Sequence, residues 1–176
     1  MSLALVLLAW WFWPRSITNL RPQSGPVVFL GDSISAGTGS QTGRGYVAIL
    51  AQRTGLELIN KGVPGDTTVS ALKRLDEDVL SLKPALVIVQ LGGNDFLQRL
   101  PQDETFANLE TIIERIQQQG GAVLLLGMQS GIFGDKAAAR YRELARAKKT
   151  GFVKNLLDGI LTRADLKADS IHPNDL

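Results

Sequence analysis

The chain contains no cysteine. That excludes disulfides, thiolate catalysis and cysteine-ligated zinc or iron–sulfur sites, without fixing a compartment, because many exported bacterial proteins also lack cysteine. Concentrated charge is missing too. The net charge is +2, and Lys148-Lys149 is the longest basic run, so nothing resembles a phosphate-tracking surface and no nucleic-acid partner is expected. The chain has no G-x-S-x-G elbow, which disfavours an ordinary α/β-hydrolase. It has no dinucleotide glycine fingerprint or P-loop lysine, which disfavours hydride transfer and phosphate binding. No metal or cofactor is called for. Histidine occurs once, at position 172.

No hydrophobic run is long enough to span a bilayer core, which needs roughly 17–25 residues. The longest uncharged apolar stretch, Leu3–Trp13, has eleven residues and stops at Pro14. Its length fits a signal-peptide h-region, and Trp10, Trp11, Phe12 and Trp13 suit a membrane–water interface. Residues 1–14 are therefore expected to be an export signal or membrane anchor, with membrane association through this segment and a periplasmic or membrane-associated location in the cell envelope. Residues 15–26, with two prolines, read as a linker. The remainder, 27–176, suits one domain large enough to bury a core without staples.

Beyond the linker, short apolar runs alternate with helical patterns. Val27–Leu30, Leu56–Asn60, Ala85–Leu91, Ala122–Leu126 and Phe152-Val153 read as strands, the third apolar but for Gln90, as a strand covered on both faces should be. Between them lie a short helix near Tyr46–Arg53 presenting Val47, Ile49, Leu50 and Ala51, and a helix capped by Thr67 or Thr68 with Val69, Leu72, Leu75 and Val79 at helical spacing. A third carries the stripe Phe106, Leu109, Ile112, Ile113 and Ile116, and a fourth, about Asp135–Lys148, turns Tyr141, Leu144 and Ala145 inward. Repeated strand–helix alternation predicts an α/β fold, a parallel sheet with helices on both faces.

Open parallel sheets place their working loops at the carboxyl ends of the strands. Ser33, Gly65 and Asn94 each fall just after one of the first three strands, so all three should emerge on one edge of the sheet. Ser33 needs a base to become a nucleophile at neutral pH. His172 can take its proton and return it to a leaving group, and Asp169, three positions earlier, can hold the other ring nitrogen. The Ser33 and Gly65 backbone N–H groups and the Asn94 side-chain amide are candidate oxyanion donors. Asp32 and Asp95 read as loop-organising acceptors rather than reacting groups.

Four ordered blocks carry a specific likeness: Gly31-Asp32-Ser33-Ile34-Ser35, Asn60-Lys61-Gly62-Val63-Pro64-Gly65-Asp66, Gly92-Gly93-Asn94-Asp95 and Asp169-Ser170-Ile171-His172-Pro173. With them the chain resembles the SGNH hydrolases, the GDSL-type esterases and lipases, with Ile34 where leucine is more usual. The nearest resemblance is to their bacterial arylesterase, lysophospholipase and thioesterase branch. The resemblance implies a three-layer α/β/α sandwich around a parallel sheet of about five strands, flavodoxin-like, and a metal-independent serine esterase acting on aryl, acyl or lysophospholipid esters or thioesters through an acyl-serine intermediate. A small-molecule or lipid ester is the expected substrate. A carbohydrate O-acetylesterase shares the residues but not the substrate, and a non-catalytic, membrane-tethered binding module is the reading from another class. Members of the family usually continue past the histidine block with a C-terminal helix, which is apparently missing here. The His172 loop is accordingly expected to have few contacts holding it.

Overall fold

The computed structural model describes residues 17–20, 24–43, 45–128 and 134–175. Five strands form one sheet: β1 (Val27–Gly31), β2 (Leu58–Gly62), β3 (Leu86–Gln90), β4 (Ala122–Leu126) and β5 (Gly151–Val153), in the order β2-β1-β3-β4-β5. Every pairing is parallel. The helices are α1 (Ser33–Ala36), α2 (Tyr46–Thr54), α3 (Thr68–Asp78), α4 (Gly93–Leu97), α5 (Gln102–Gln118) and α6 (Gly134–Ala147), with 3-10 turns at Leu80–Leu82 and Ala164–Leu166.

Alternation along the strands divides the interior into two clusters, as the two-residue period of a strand requires. Val28 and Leu30 of β1, Val87 and Val89 of β3, and Val123 and Leu125 of β4 face Leu75 of α3, the α5 stripe, and Tyr141 and Ala145 of α6. Leu109, Ile112, Ile113 and Ile116 have no exposed surface. Phe29, Ile88 and Leu126 point the other way, where Val47 of α2 joins them. Three layers result, α3/α5/α6, the sheet, and α2 with the chain around Leu156. This is the α/β/α sandwich expected.

The covering on the second side is thinner than residue type predicts. Of the four apolar residues expected on the inner face of α2, only Val47 is buried, while Ile49 and Leu50 are exposed. The second strand also begins two residues later than expected, leaving Leu56 in solvent. Apolar residue type alone does not separate a face packed on the sheet from one beside an open groove. The cap ambiguity at α3 resolves to Thr67. Its side chain accepts from the Ser70 N–H and the Ser70 hydroxyl accepts from the Thr67 N–H, a capping box.

The expected membrane association is corrected by the described chain. Among the described residues no helix is long and apolar enough to cross a membrane; α3, α5 and α6 carry charged residues along their length. The segment 1–14, on which the signal or anchor reading rests, lies outside the described residues.

Strand order reverses between β1 and β3, with β2 outside one and β4 outside the other. The loops leaving two such neighbouring strands run to opposite sides, and a crevice opens at their carboxyl ends. Gly31 lies level with Gln90 on one side and Gly62 on the other, so the segments after all three strands start at the same height.

Candidate active site

Ser33 is the first residue of α1, one step beyond the end of β1 and its cap Asp32. The one-residue connection holds its hydroxyl at the switch-point crevice. His172 reaches it from the last loop, with Nε2 at 2.8 Å from Ser33 Oγ. Asp169 Oδ2 lies 2.7 Å from His172 Nδ1. The backbone N–H groups of Ile171 and His172 both donate to Asp169 Oδ1 at 2.9 Å. These donors, the Ile171 N–H foremost and the histidine ring next, hold the Asp169 carboxyl down to about 2. Ionised Asp169 can only accept, so Nδ1 carries the ring proton and Nε2 is left to accept from the serine hydroxyl. The three residues form one hydrogen-bonded line although Ser33 and His172 are 139 positions apart.

The expectation that the histidine loop lacks contacts does not hold. The Ala168 N–H donates to the His172 carbonyl and the Asn174 N–H to the Leu166 carbonyl, while Lys167 and Pro173 form an antiparallel bridge. Asp175 Oδ2 accepts from the backbone N–H groups of Gln41 and Thr42, at 2.9 and 3.1 Å. Gly39, with φ +95°, lies so close that a Cβ there would stand 2.3 Å from the Pro173 carbonyl oxygen. The loop is docked on the 37–42 segment through the Asp175 carboxylate and the close approach at Gly39, which no residue-type pattern reveals.

Asn94, in the first turn of α4, donates one amide hydrogen to the Asp66 carbonyl at 2.9 Å. This orients the side chain and leaves its second N–H available. Gly65, in the turn closed by the Asp66 N–H on the Val63 carbonyl, has φ +81° and open space where a Cβ would be. Ser33, Asn94 and His172 line one small cavity of about 30 Å³; Gly65 does not line it and sits exposed beside Asp66. Leu97, Met128, Leu157, Leu161 and Ile171 supply much of its apolar wall.

Behind Ser33 runs a buried polar chain that the sequence motifs do not announce. Gln90 ends an otherwise apolar strand with no exposed surface. Its Nε2 donates to Asp32 Oδ1 at 3.0 Å, and its Oε1 accepts from the Ser35 N–H and hydroxyl at 3.2 and 2.7 Å. Ser35 Oγ lies 2.9 Å from the Tyr46 hydroxyl, and burial pushes that phenol up to about 12. Asp32 also accepts the Ile34 N–H at 3.0 Å. Burial raises its pKa against the opposing pull of the Ile34 N–H, the Gln90 amide and the His172 ring. A glutamine inside a run of aliphatics is the one legible signal, since a buried amide needs partners. Asp95, 1 % exposed, accepts from the Thr68 N–H at 2.9 Å and from the Thr68 hydroxyl, tying the α4 turn to the start of α3. Asp32 and Asp95 thus organise loops, as expected. Among the described residues no group of three or more His, Asp or Glu side chains could hold a metal ion.

The description of the GDSL-like lipase/acylhydrolase family matches residues 29–176. Esterase TesA of Pseudomonas aeruginosa is 35% identical over 158 residues, covering 84% of this chain and 79% of its own. A crystal structure of TesA superposes with a TM-score of 0.77 at 34% identity, covering 84% of this chain and 88% of the other. AlinE4, described as an SGNH-hydrolase family esterase, superposes with a TM-score of 0.74 at 35% identity, covering 86% and 87%. The sheet order, the serine at the switch point and these likenesses agree: the chain belongs to the GDSL-like lipase/acylhydrolase family, the SGNH hydrolases, and is a serine-type carboxylic ester hydrolase.

Proposed function

We propose that Ser33 is the nucleophile, His172 the general base and acid, and Asp169 the group that fixes the ring. The Ser33 N–H, the Gly65 N–H and Asn94 Nδ2 receive the oxyanion. The observation that carries this reading is the unbroken line from Asp169 Oδ2 through the imidazole to Ser33 Oγ, with contacts of 2.7 and 2.8 Å. As Ser33 Oγ attacks the ester carbonyl carbon, its proton passes to His172 Nε2, and the ring proton on Nδ1 stays with Asp169. The carbonyl oxygen takes the charge and meets the free Asn94 N–H. Collapse breaks the ester C–O bond, and Nε2 protonates the departing alkoxide or phenoxide. Water, giving its proton to the same nitrogen, then releases the acid and restores Ser33.

The cavity supports a narrower substrate class. The cavity at Ser33 holds about 30 Å³, enough for a short acyl chain, and a wider groove of about 220 Å³ adjoins it through Ile34 and Leu157 with room for the alcohol side of the ester. The cavity's apolar wall of Leu97, Met128, Leu157, Leu161 and Ile171 suits an aryl or alkyl group better than a sugar. Aryl esters of short acids are therefore the favoured substrates, ahead of acetylated carbohydrates and long-chain lipids. An extracytoplasmic location belongs to the same proposal, since Leu3–Trp13 has the length of an export-signal h-region. Cell fractionation decides it: enzyme confined to the cytoplasm would overturn it.

The test of the chemistry is a fluorophosphonate probe with a p-nitrophenyl ester series from acetate to palmitate, beside an O-acetylated sugar. Ser33 should be the labelled residue, Ser33→Ala should lose labelling and turnover together, and kcat/KM should fall as the acyl chain lengthens. Labelling of another serine in the folded protein would overturn the assignment of Ser33. A preference for palmitate would overturn the short-acyl reading.

A further inference from the structure

Arg74 lies on α3, away from the cavity, yet it touches both segments that leave the catalytic edge of the sheet after β1 and β2. Its Nε and one terminal nitrogen both donate to Asp66 Oδ2, at 2.9 and 2.6 Å. The same terminal nitrogen donates to the Lys61 carbonyl at 2.9 Å and lies 3.4 Å from the Gly31 carbonyl, so it reaches the ends of both β2 and β1. The other terminal nitrogen donates to Asp78 Oδ2 at 2.8 Å. The side chains are largely removed from water, 18 % exposed for Arg74 and 2 % for Asp66, and the Ser70 hydroxyl also donates to Asp66.

Asp66 faces the site with its other end. Its carbonyl oxygen is the acceptor that orients Asn94, at 2.9 Å, and its N–H closes the turn containing Gly65. Two of the three oxyanion donors assigned above therefore depend on where Asp66 sits. A buried carboxylate is costly to leave without its cation, and Asp66 deprived of Arg74 turns toward water. That loosens the 63–67 turn, because the guanidinium ties Asp66 to the ends of β1 and β2.

We propose that Arg74 is the positioning residue of the oxyanion hole, acting through Asp66 on Gly65 and Asn94. The inference rests on the roles proposed above for those two donors. Arginine is suited to this as lysine is not. Its planar fork meets one carboxylate oxygen twice and still reaches two carbonyls, whereas an ammonium is a single point charge. Removing the clamp should lower kcat and leave ground-state binding alone, because the oxyanion exists only after attack.

The test is a double-mutant cycle on p-nitrophenyl acetate, with Arg74→Met and Arg74→Lys each made in the wild type and in Asn94→Ala. Rates are taken per active site counted by fluorophosphonate labelling, so that poorly folded material does not enter. In the wild type, Arg74→Met should lower kcat by about 10-fold or more with KM within about 2-fold, and Arg74→Lys should recover part of the loss. With Asn94 already removed, the effect of either substitution should shrink to about 3-fold, because one of the two donors it serves is gone. Equal kcat losses in both backgrounds, or a loss confined to KM, would overturn the role of Arg74. Should Arg74→Met fail to fold, the same comparison is made with Arg74→Lys. An Asn94→Ala enzyme with unchanged kcat would instead overturn the oxyanion assignment itself, a result separate from the cycle.

Discussion

Replacing Gly39 by alanine should displace His172, the proposed base, without touching it. The added Cβ would stand 2.3 Å from the Pro173 carbonyl oxygen and 3.1 Å from the Cβ atoms of Ala168 and His172. Ordinary contact starts near 3.4 Å, so the histidine loop must retreat by about 1.1 Å, the gap between those two distances. The nearest obstacle is backbone and cannot swing aside. His172 is the neighbour of Pro173, so the retreat is passed to the imidazole and takes Nε2 from 2.8 Å to beyond hydrogen-bond reach of Ser33. A misplacement of about 1 Å costs on the order of 10²-fold in rate. The expected result is a kcat/KM for p-nitrophenyl acetate lowered about 10²-fold, with circular dichroism unchanged. Gly43→Ala is the control. It also requires a left-handed backbone, φ +66° against +95°, a milder demand on an L residue, and has nothing within 4 Å of the new Cβ. It should stay within a few-fold of the wild type. Equal damage from both substitutions would show that backbone strain matters and the contact with the loop does not. A fully active Gly39→Ala would refute the docking argument outright.

Three further outcomes follow from the same geometry. Asn94→Ala should lower kcat by about 10²–10³ with little change in KM, as for loss of a transition-state donor; steady-state kinetics give the split. Asp32→Asn keeps an oxygen to accept from Ile34 and Gln90 but removes a charge disfavoured by burial. Because the folded-state pKa is raised, the folded protein binds this proton more tightly than the unfolded chain, and ionisation weighs against folding as pH rises through the shifted value. Asp32→Asn should thus melt above the wild type at neutral pH, the difference closing as pH falls toward the ordinary aspartate value of about 3.9; a difference independent of pH would contradict this. Ile112→Ala, in the fully buried stripe of α5, should cost about 2–5 kcal/mol in denaturant unfolding, and a loss under about 1 kcal/mol would mean the two layers are not packed as described.

The parts of the chain with strong periodicity are legible in the amino-acid sequence alone. The stripe Phe106–Ile116 and the run Ala122–Leu126 appear as α5 and β4 because each is apolar enough for burial alone to choose its state. Where burial is one-sided, reading by residue type falters, as at Ile49, Leu50 and Leu56. The candidate triad is visible because its chemistry is tied to residue type: one histidine, an aspartate three positions before it, and a serine at a strand end. Its supports are not. Gln90, Arg74 and Gly39 act through partners 58, 8 and more than a hundred residues away, and nothing local marks those pairings.

The sequence by itself determined the strand–helix alternation, the two-faced strands and the candidates for nucleophile, base and oxyanion donor. These depend on side-chain chemistry and short-range period, which are properties of the chain taken a few residues at a time. Only the tertiary structure decided that β3 lies beside β1, placing Asn94 and Ser33 on one cavity, and that the last loop docks on residues 37–42, bringing His172 Nε2 to 2.8 Å from Ser33 Oγ. Those distances come from closing long segments of chain around a shared core, where backbone carbonyls, one guanidinium and the absence of a Cβ at Gly39 fix positions that no local pattern encodes.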